Sequence, residues 1–210
     1  MTSAAKTGRF ITLEGGEGTG KSTLQRALSE ALRARGLEVV ATREPGGAPG
    51  ADAIRALLVQ GEANRWSALE EALLFAAARL NHLNRTIRPA LVRGAWVVCD
   101  RYYDSTRAYQ VAAGGLRGDV LDQLNALIEA PAPDLTLILD LDPNAGLSRS
   151  RGAEAGEDRF EKKDGAFHTR VRDEFLAIAK REPARCAIID SAQPREAVLA
   201  AAIREIEARL

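Results

Sequence analysis

The sequence predicts an α/β fold, a parallel sheet with helices on both faces, and three observations carry that prediction. Five short runs are apolar almost throughout, without the strict alternation of a strand exposed on one side. Helical periodicity fills the intervals between them. A glycine-rich turn lies directly between the first apolar run and the first helical one, as a strand-to-helix junction requires.

Taken in order, the first run covers residues 9–13, and the helix over 21–35 carries Leu24, Leu28, Ala31 and Leu32 on one face. Gly36 suits the position just past its end. The second strand is "LEVVAT" (37–42), followed by a helix over 50–60 closed by Gly61. A long helix over 67–93 follows, with Pro89 marking a kink. Next come the strand "AWVVC" (95–99), a helix over about 119–129, the strand "LTLILDL" (135–141) and a helix over 143–150. Helix 165–182, strand 186–190 and helix 194–209 complete the chain. The whole, 1–210, reads as one domain, with no repeat, linker or low-complexity tail.

Composition narrows the functional classes. Hydrophobic residues make up 46% and charged residues 28%, the balance of a soluble globular protein. Basic and acidic residues number 29 each, so there is no basic excess for holding nucleic acid. Cys99 and Cys186 lie in apolar runs and read as reduced core residues. His82 and His168 are isolated, which argues against a histidine metal site. "MTSAAKTGRF" lacks the apolar stretch of a signal peptide, and no run is long enough to span a membrane. These features point to a soluble, cytoplasmic chain.

The turn decides more. In "GGEGTGKST" (15–23), Gly15, Gly20, Lys21 and Ser22 satisfy G-x-x-x-x-G-K-[ST]. Glycines let the backbone of Gly15, Gly16, Glu17, Gly18, Thr19, Gly20, Lys21, Ser22 and Thr23 wrap a polyphosphate, with N–H groups inward and a helix N-terminus behind them. Lys21 reaches the β- and γ-phosphates of ATP, and Ser22 supplies an oxygen to Mg²⁺. A GTPase switch would add N/T-K-x-D, but the nearest string, "EKKD" (161–164), begins with glutamate. Protein-kinase signatures are also absent. A small kinase of a small acceptor remains, against the alternative of a non-catalytic ATP-binding switch.

Further motifs occur in order over nearly the full length: "TREPGG" (42–47), "LLFAAAR" (73–79), "CDRYYDSTRAYQ" (99–110), an arginine-rich segment within 149–165 and "IDSAQP" (189–194). With the phosphate loop, this set resembles the bacterial thymidylate kinases, a family of P-loop nucleoside monophosphate kinases. The resemblance implies their three-layer fold, a five-stranded parallel sheet flanked by helices with an arginine-rich lid, here about 149–164. It implies transfer of a phosphoryl group from ATP to dTMP with Mg²⁺, in a homodimer.

By the same resemblance, Arg101 and Arg55 grip the acceptor phosphate, work suited to a planar guanidinium. Phe75 and Arg79, four residues apart on one helix face, stack on thymine and bond its carbonyl. Thr106, Tyr109 and Gln110 line the base and sugar, aimed alike by one helical turn, and Tyr109 disfavours a ribose 2′-hydroxyl. Glu17, unexpected beside phosphates, bonds the 3′-hydroxyl. Glu44 lies near the acceptor phosphate and, with Asp100, near the waters of Mg²⁺. Positions 16–19 carry no basic residue, so the positive charge for transfer should come from the lid. Arg149 and Arg151 are the expected catalytic pair, beside Lys21 and Arg101, with Arg159 an anchor through its acidic neighbours. "IDSAQP" forms the loop at adenine. Another pyrimidine nucleotide or a nucleoside is the alternative acceptor.

Overall fold

The computed structural model describes residues 8–150 and 159–210. Its sheet has five parallel strands in the order β2-β3-β1-β4-β5. These are β1 (Arg9–Glu14), β2 (Val39–Arg43), β3 (Trp96–Asp100), β4 (Leu135–Asp140) and β5 (Cys186–Asp190), each on an expected apolar run.

The strands are apolar on both sides because both sides are covered. Ile11, Leu13, Val98 and Leu137 pack on α1 (Lys21–Ala34) and α9 (Arg195–Arg209) through Leu24, Leu28, Ala202 and Ile206. Their neighbours Phe10, Val97 and Cys99 face the other way, onto Leu83, Ile87 and Ala90. On that same side Ile138 meets Val171, Phe175 and Ile178 of α8 (Gly165–Arg181). Each strand thus contributes to two apolar layers, the signature of a parallel sheet between helices.

The remaining helices are α2 (Pro49–Val59), α3 (Ala68–His82), α4 (Arg88–Val92), α5 (Tyr103–Thr106), α6 (Gly118–Leu127) and α7 (Pro143–Ser150). Gly36 ends α1 as expected: its N–H bonds Arg33 O at 2.9 Å, Leu37 N bonds Leu32 O at 3.4 Å, and its φ is 78°. Ser67 and Glu70 cap α3 reciprocally.

Two expectations change in detail. The single helix over 67–93 is α3, a π-helical turn over Leu83–Ile87, and then α4. Pro89 sits in the first turn of α4, where its missing N–H costs least, and the wider turn lies just before it. The segment after β3, given no helix from periodicity, forms α5 and continues into a π-helical stretch, Arg107–Ala113. Its sequence is polar and aromatic, so it shows no apolar repeat. Among the described residues no helix is long and apolar enough to cross a membrane.

The register aligns the carboxyl ends of three strands, with Leu13 of β1 and Arg43 of β2 both opposite Asp100 of β3. In open α/β sheets ligands gather along this rim.

Candidate active site

The central strand ends at Glu14, and the glycine-rich loop follows at once. Gly18 has φ 64°, and a Cβ there would lie 1.9 Å from the carbonyl oxygen of Gly146 in α7. A Cβ on Gly146 would lie 2.3 Å from Glu17 O. Loop and helix therefore touch backbone to backbone, which only paired glycines permit. The Lys21 ammonium donates to Gly16 O at 2.7 Å and Gly15 O at 3.1 Å. Burial, then the charge of Arg101, push its pKa down to about 8, opposed by Asp100, Glu17 and Glu14.

Ser22 Oγ donates to Asp100 Oδ2 at 2.7 Å, so a hydroxyl and a carboxylate stand together at the start of α1. Such hard oxygens suit a small divalent cation. Among the described residues no group of three or more His, Cys, Asp or Glu side chains is placed to cage an ion. A cation here would share its coordination with water and substrate phosphates, as Mg²⁺ commonly does.

Arg101 is held from several directions. Its φ of 68° is unusual for a non-glycine residue and costs on the order of 1–3 kcal/mol. Its N–H donates to Leu13 O at 2.9 Å. Its guanidinium donates to Gly15 O at 3.0 Å, Ser105 Oγ at 3.2 Å, Glu17 Oε1 at 3.0 Å and Tyr109 Oη at 3.2 Å. Tyr109 in turn donates to Glu17 Oε1 at 2.7 Å. Burial acts to raise the Glu17 pKa, but Arg101, Lys21 and the Tyr109 hydroxyl outweigh it and hold it down at about 2. The turn carrying Arg101 is fastened by Glu14, which accepts from Tyr102 N at 2.7 Å and Ser105 Oγ at 2.5 Å. Burial and the nearby Asp104 push the Glu14 carboxyl up to about 8.

Phe75, Arg79, Thr106, Tyr109 and Gln110 line one cavity of about 130 Å³, with Arg101 and Arg55 at its edge. Arg79 is buried and donates to Glu44 Oε2 at 2.8 Å and Thr106 Oγ1 at 3.2 Å. The other oxygen of Glu44 pairs with His82 Nδ1 at 3.1 Å. Glu44, expected near the acceptor phosphate and the waters of Mg²⁺, lines this cavity too. Both its oxygens are committed to Arg79 and His82, and the carboxylate beside Ser22 belongs to Asp100. Arg55 donates to Pro45 O at 2.8 Å, which ties α2 to the "TREPGG" turn. Gln110 turns its NH₂ to Glu71 Oε2 at 2.6 Å, while its buried Oε1 has no partner among the described residues.

A second, larger cavity of about 900 Å³ follows the phosphate loop. It includes Lys21, Ser22, Arg43 and Asp100, and also Arg149, Ser191 and Gln193. Arg149, at the end of α7, donates to Ser191 O at 3.2 Å. Arg151 lies outside the described residues. Arg159 anchors its segment, but not through the acidic residues beside it. It is fully buried, bonded to Glu71 and to the carbonyls of Leu58, Glu62 and Ala63. The two cavities share Glu17, Glu44, Arg55, Arg101 and Glu161, so they meet at the arginine pair and the carboxylates around it.

Sequence reasoning did not select Glu14, Ser105, Glu71 or His82 as contributors to this architecture. The available signal was a charge inside an apolar or helical run, as in "FITLEG" and "LEEALLF".

A parallel sheet with a phosphate loop at its central strand, opening into a second cavity lined by arginines and aromatics, defines a P-loop nucleotide phosphotransferase of the monophosphate-kinase type. The comparisons with known proteins narrow that class. The sequence model of the thymidylate kinase family matches residues 13–202. Thymidylate kinases from Rhizorhabdus wittichii and Caulobacter vibrioides are 57% and 53% identical to this chain. The first alignment covers 88% of this chain and 89% of the relative, and the second 92% and 93%. The crystal structure of thymidylate kinase from Ehrlichia chaffeensis superposes with a TM-score of 0.79 at 34% identity, covering 95% of this chain and 99% of that one. This chain belongs to the thymidylate kinase family.

Proposed function

We propose that the protein, acting as one domain over 1–210, transfers the γ-phosphoryl group of ATP to dTMP and yields ADP and dTDP. The observation that carries this reading is the meeting of the two cavities at Arg101 and Arg55. A donor on the phosphate loop and an acceptor in the aromatic cavity bring their phosphates together there.

In the reaction an oxygen of the dTMP phosphate forms a bond to the γ-phosphorus of ATP. The bond from that phosphorus to the bridging oxygen breaks, and ADP leaves with the electron pair. The loop N–H groups from Gly15 to Thr23 and the Lys21 ammonium hold the ATP phosphates. Arg101, pinned to the loop, and Arg55 hold the acceptor phosphate in line. Arg149 and Arg151 neutralise charge on the transferring oxygens. Ser22, with Asp100 through water, would hold Mg²⁺, which supplies charge neutralisation between the β- and γ-phosphates.

On the acceptor, Glu17 bonds the 3′-hydroxyl and the Tyr109 ring underlies C2′. Phe75 stacks on the base, Arg79 donates to its O4 with Thr106 beside it, and the free acceptor on Gln110 meets the N3–H. Cytosine presents an acceptor at that position and would leave two acceptors opposed. The family resemblance and an apolar face of Leu69, Leu73 and Leu80 on α3 with Leu57 on α2, all substantially exposed, support a homodimer. The likeness to bacterial thymidylate kinases supports a cytoplasmic location.

The test is ADP release with ATP and Mg²⁺ across dTMP, dUMP, ribosyl-TMP, dCMP, AMP and GMP. dTMP should give the highest kcat/KM, and Arg149→Ala should lower kcat by about 10²-fold or more. ATP binding without acceptor-dependent ADP release would overturn the kinase reading.

A further inference from the structure

The Gln110 carboxamide presents an acceptor on one side and a donor on the other, and whichever faces the base selects the base. We propose that Glu71, held by Arg159, sets that choice and is thereby the positioning residue for base selectivity. The inference rests on the dTMP-kinase reading above and deepens it.

Glu71 lies one turn before Phe75 on α3 and is buried. One of its oxygens takes the Arg159 guanidinium and the other takes Gln110 Nε2. A carboxylate paired with a guanidinium can only accept, so the NH₂ of Gln110 must face it. The Gln110 oxygen is then turned away from Glu71, buried and unpartnered among the described residues, on a side chain that lines the base cavity. The chain of polarity runs from Arg159 to Glu71, from Gln110 NH₂ to Glu71, and from the base N–H to the Gln110 oxygen.

Arg159 keeps Glu71 in place. Its other N–H groups bond Leu58 O at 3.1 Å, Glu62 O at 3.0 Å and Ala63 O at 3.3 Å. This fastens it to the end of α2 and the turn beyond. An amide at position 71 could donate instead of accept, and would let Gln110 present either face. The acceptor toward the base would no longer be enforced.

The experiment is Glu71→Gln, with dissociation constants for dTMP and dCMP by titration calorimetry and KM for both. The dCMP-to-dTMP ratio should fall about tenfold or more, with ATP affinity unmoved. A packing defect alone would weaken both monophosphates together and leave the ratio as it was. The reciprocal exchange, Glu71→Gln with Gln110→Glu, restores the order of donors and acceptors and should return the ratio toward the wild-type value. That double variant also carries the test if the single one does not fold, and its failure to discriminate would then overturn the proposal. A folded Glu71→Gln variant with an unchanged ratio overturns it as well. A wild-type protein without preference for dTMP over dCMP would instead overturn the substrate reading beneath it.

Discussion

Glu14 is a carboxyl group at the end of an apolar strand, and its environment favours the proton. Its pKa rises from the ordinary 4.5 to about 8, through burial first and Asp104 second. Between those values the unfolded chain releases a proton that the folded chain retains. Folding stability is therefore greatest below about pH 4.5 as far as this group is concerned, and is lost as pH rises toward about 8. Glu14→Gln, which keeps an acceptor for Tyr102 N, should flatten that decline, with Asp104 leaving a residual slope. Thermal melts from about pH 5 to pH 8.5 check it, and an equally steep decline in the variant would show the slope arises elsewhere. At this scale the sequence was legible where function is local. Lys21 and Ser22 follow from the spacing of one loop whose backbone dictates where they point. Glu14 was in plain view in "FITLEG", but its partners Tyr102 and Ser105 are far along the chain, and local spacing carries no trace of them. The Arg79–Glu44–His82 cluster was hidden for the same reason.

Among the elements, the strands were the most legible, because a strand buried on both faces must be apolar almost throughout. The helices were legible where one face meets the core, as in α1. The stretch Tyr103–Ala113 was legible only as one turn over 106–110, since Thr106 and Gln110 serve a cavity while Ala108 and Tyr109 pack in the core. Packing between elements was beyond the sequence altogether, and the contact of α7 with the phosphate loop is the clearest case. Gly146 falls inside the helix expected over 143–150 with nothing local to mark it, yet a Cβ there would meet the Glu17 carbonyl at 2.3 Å. Gly146→Ala must push loop and helix apart. We expect a loss of about 1–3 kcal/mol in stability and a rise of roughly tenfold in KM for ATP. Gly165, at the first position of α8, serves as the control, because a methyl group added there would meet nothing within 4 Å. Gly165→Ala should gain about 0.5–1 kcal/mol with KM unchanged. Melting curves with steady-state kinetics on both variants decide whether the contact matters to the loop or only to the fold.

For the whole molecule, the leucines of α2 and α3 are among the large apolar side chains left exposed, with Val92, Leu127 and Ile188. Leu73 is 50% exposed and lies one turn after Leu69 on α3. On the homodimer proposed above, Leu73→Glu should shift the protein from dimer to monomer in sedimentation velocity while far-ultraviolet circular dichroism stays the same. A wild-type protein that sediments as a monomer would assign the face another role. The strand order has a different consequence, one for synthesis. β1 is the central strand and pairs with β3 and β4, neither of which neighbours it in sequence. As the chain leaves the ribosome, the phosphate loop emerges directly after β1, yet the strands that brace it end at Asp100 and Asp140. Until β3 emerges, the nascent chain therefore carries an apolar strand without the neighbours it pairs with, exposed to chaperones and to other chains. The phosphate loop is made well before the strands that brace it, and it must wait for β4 before it can be assembled.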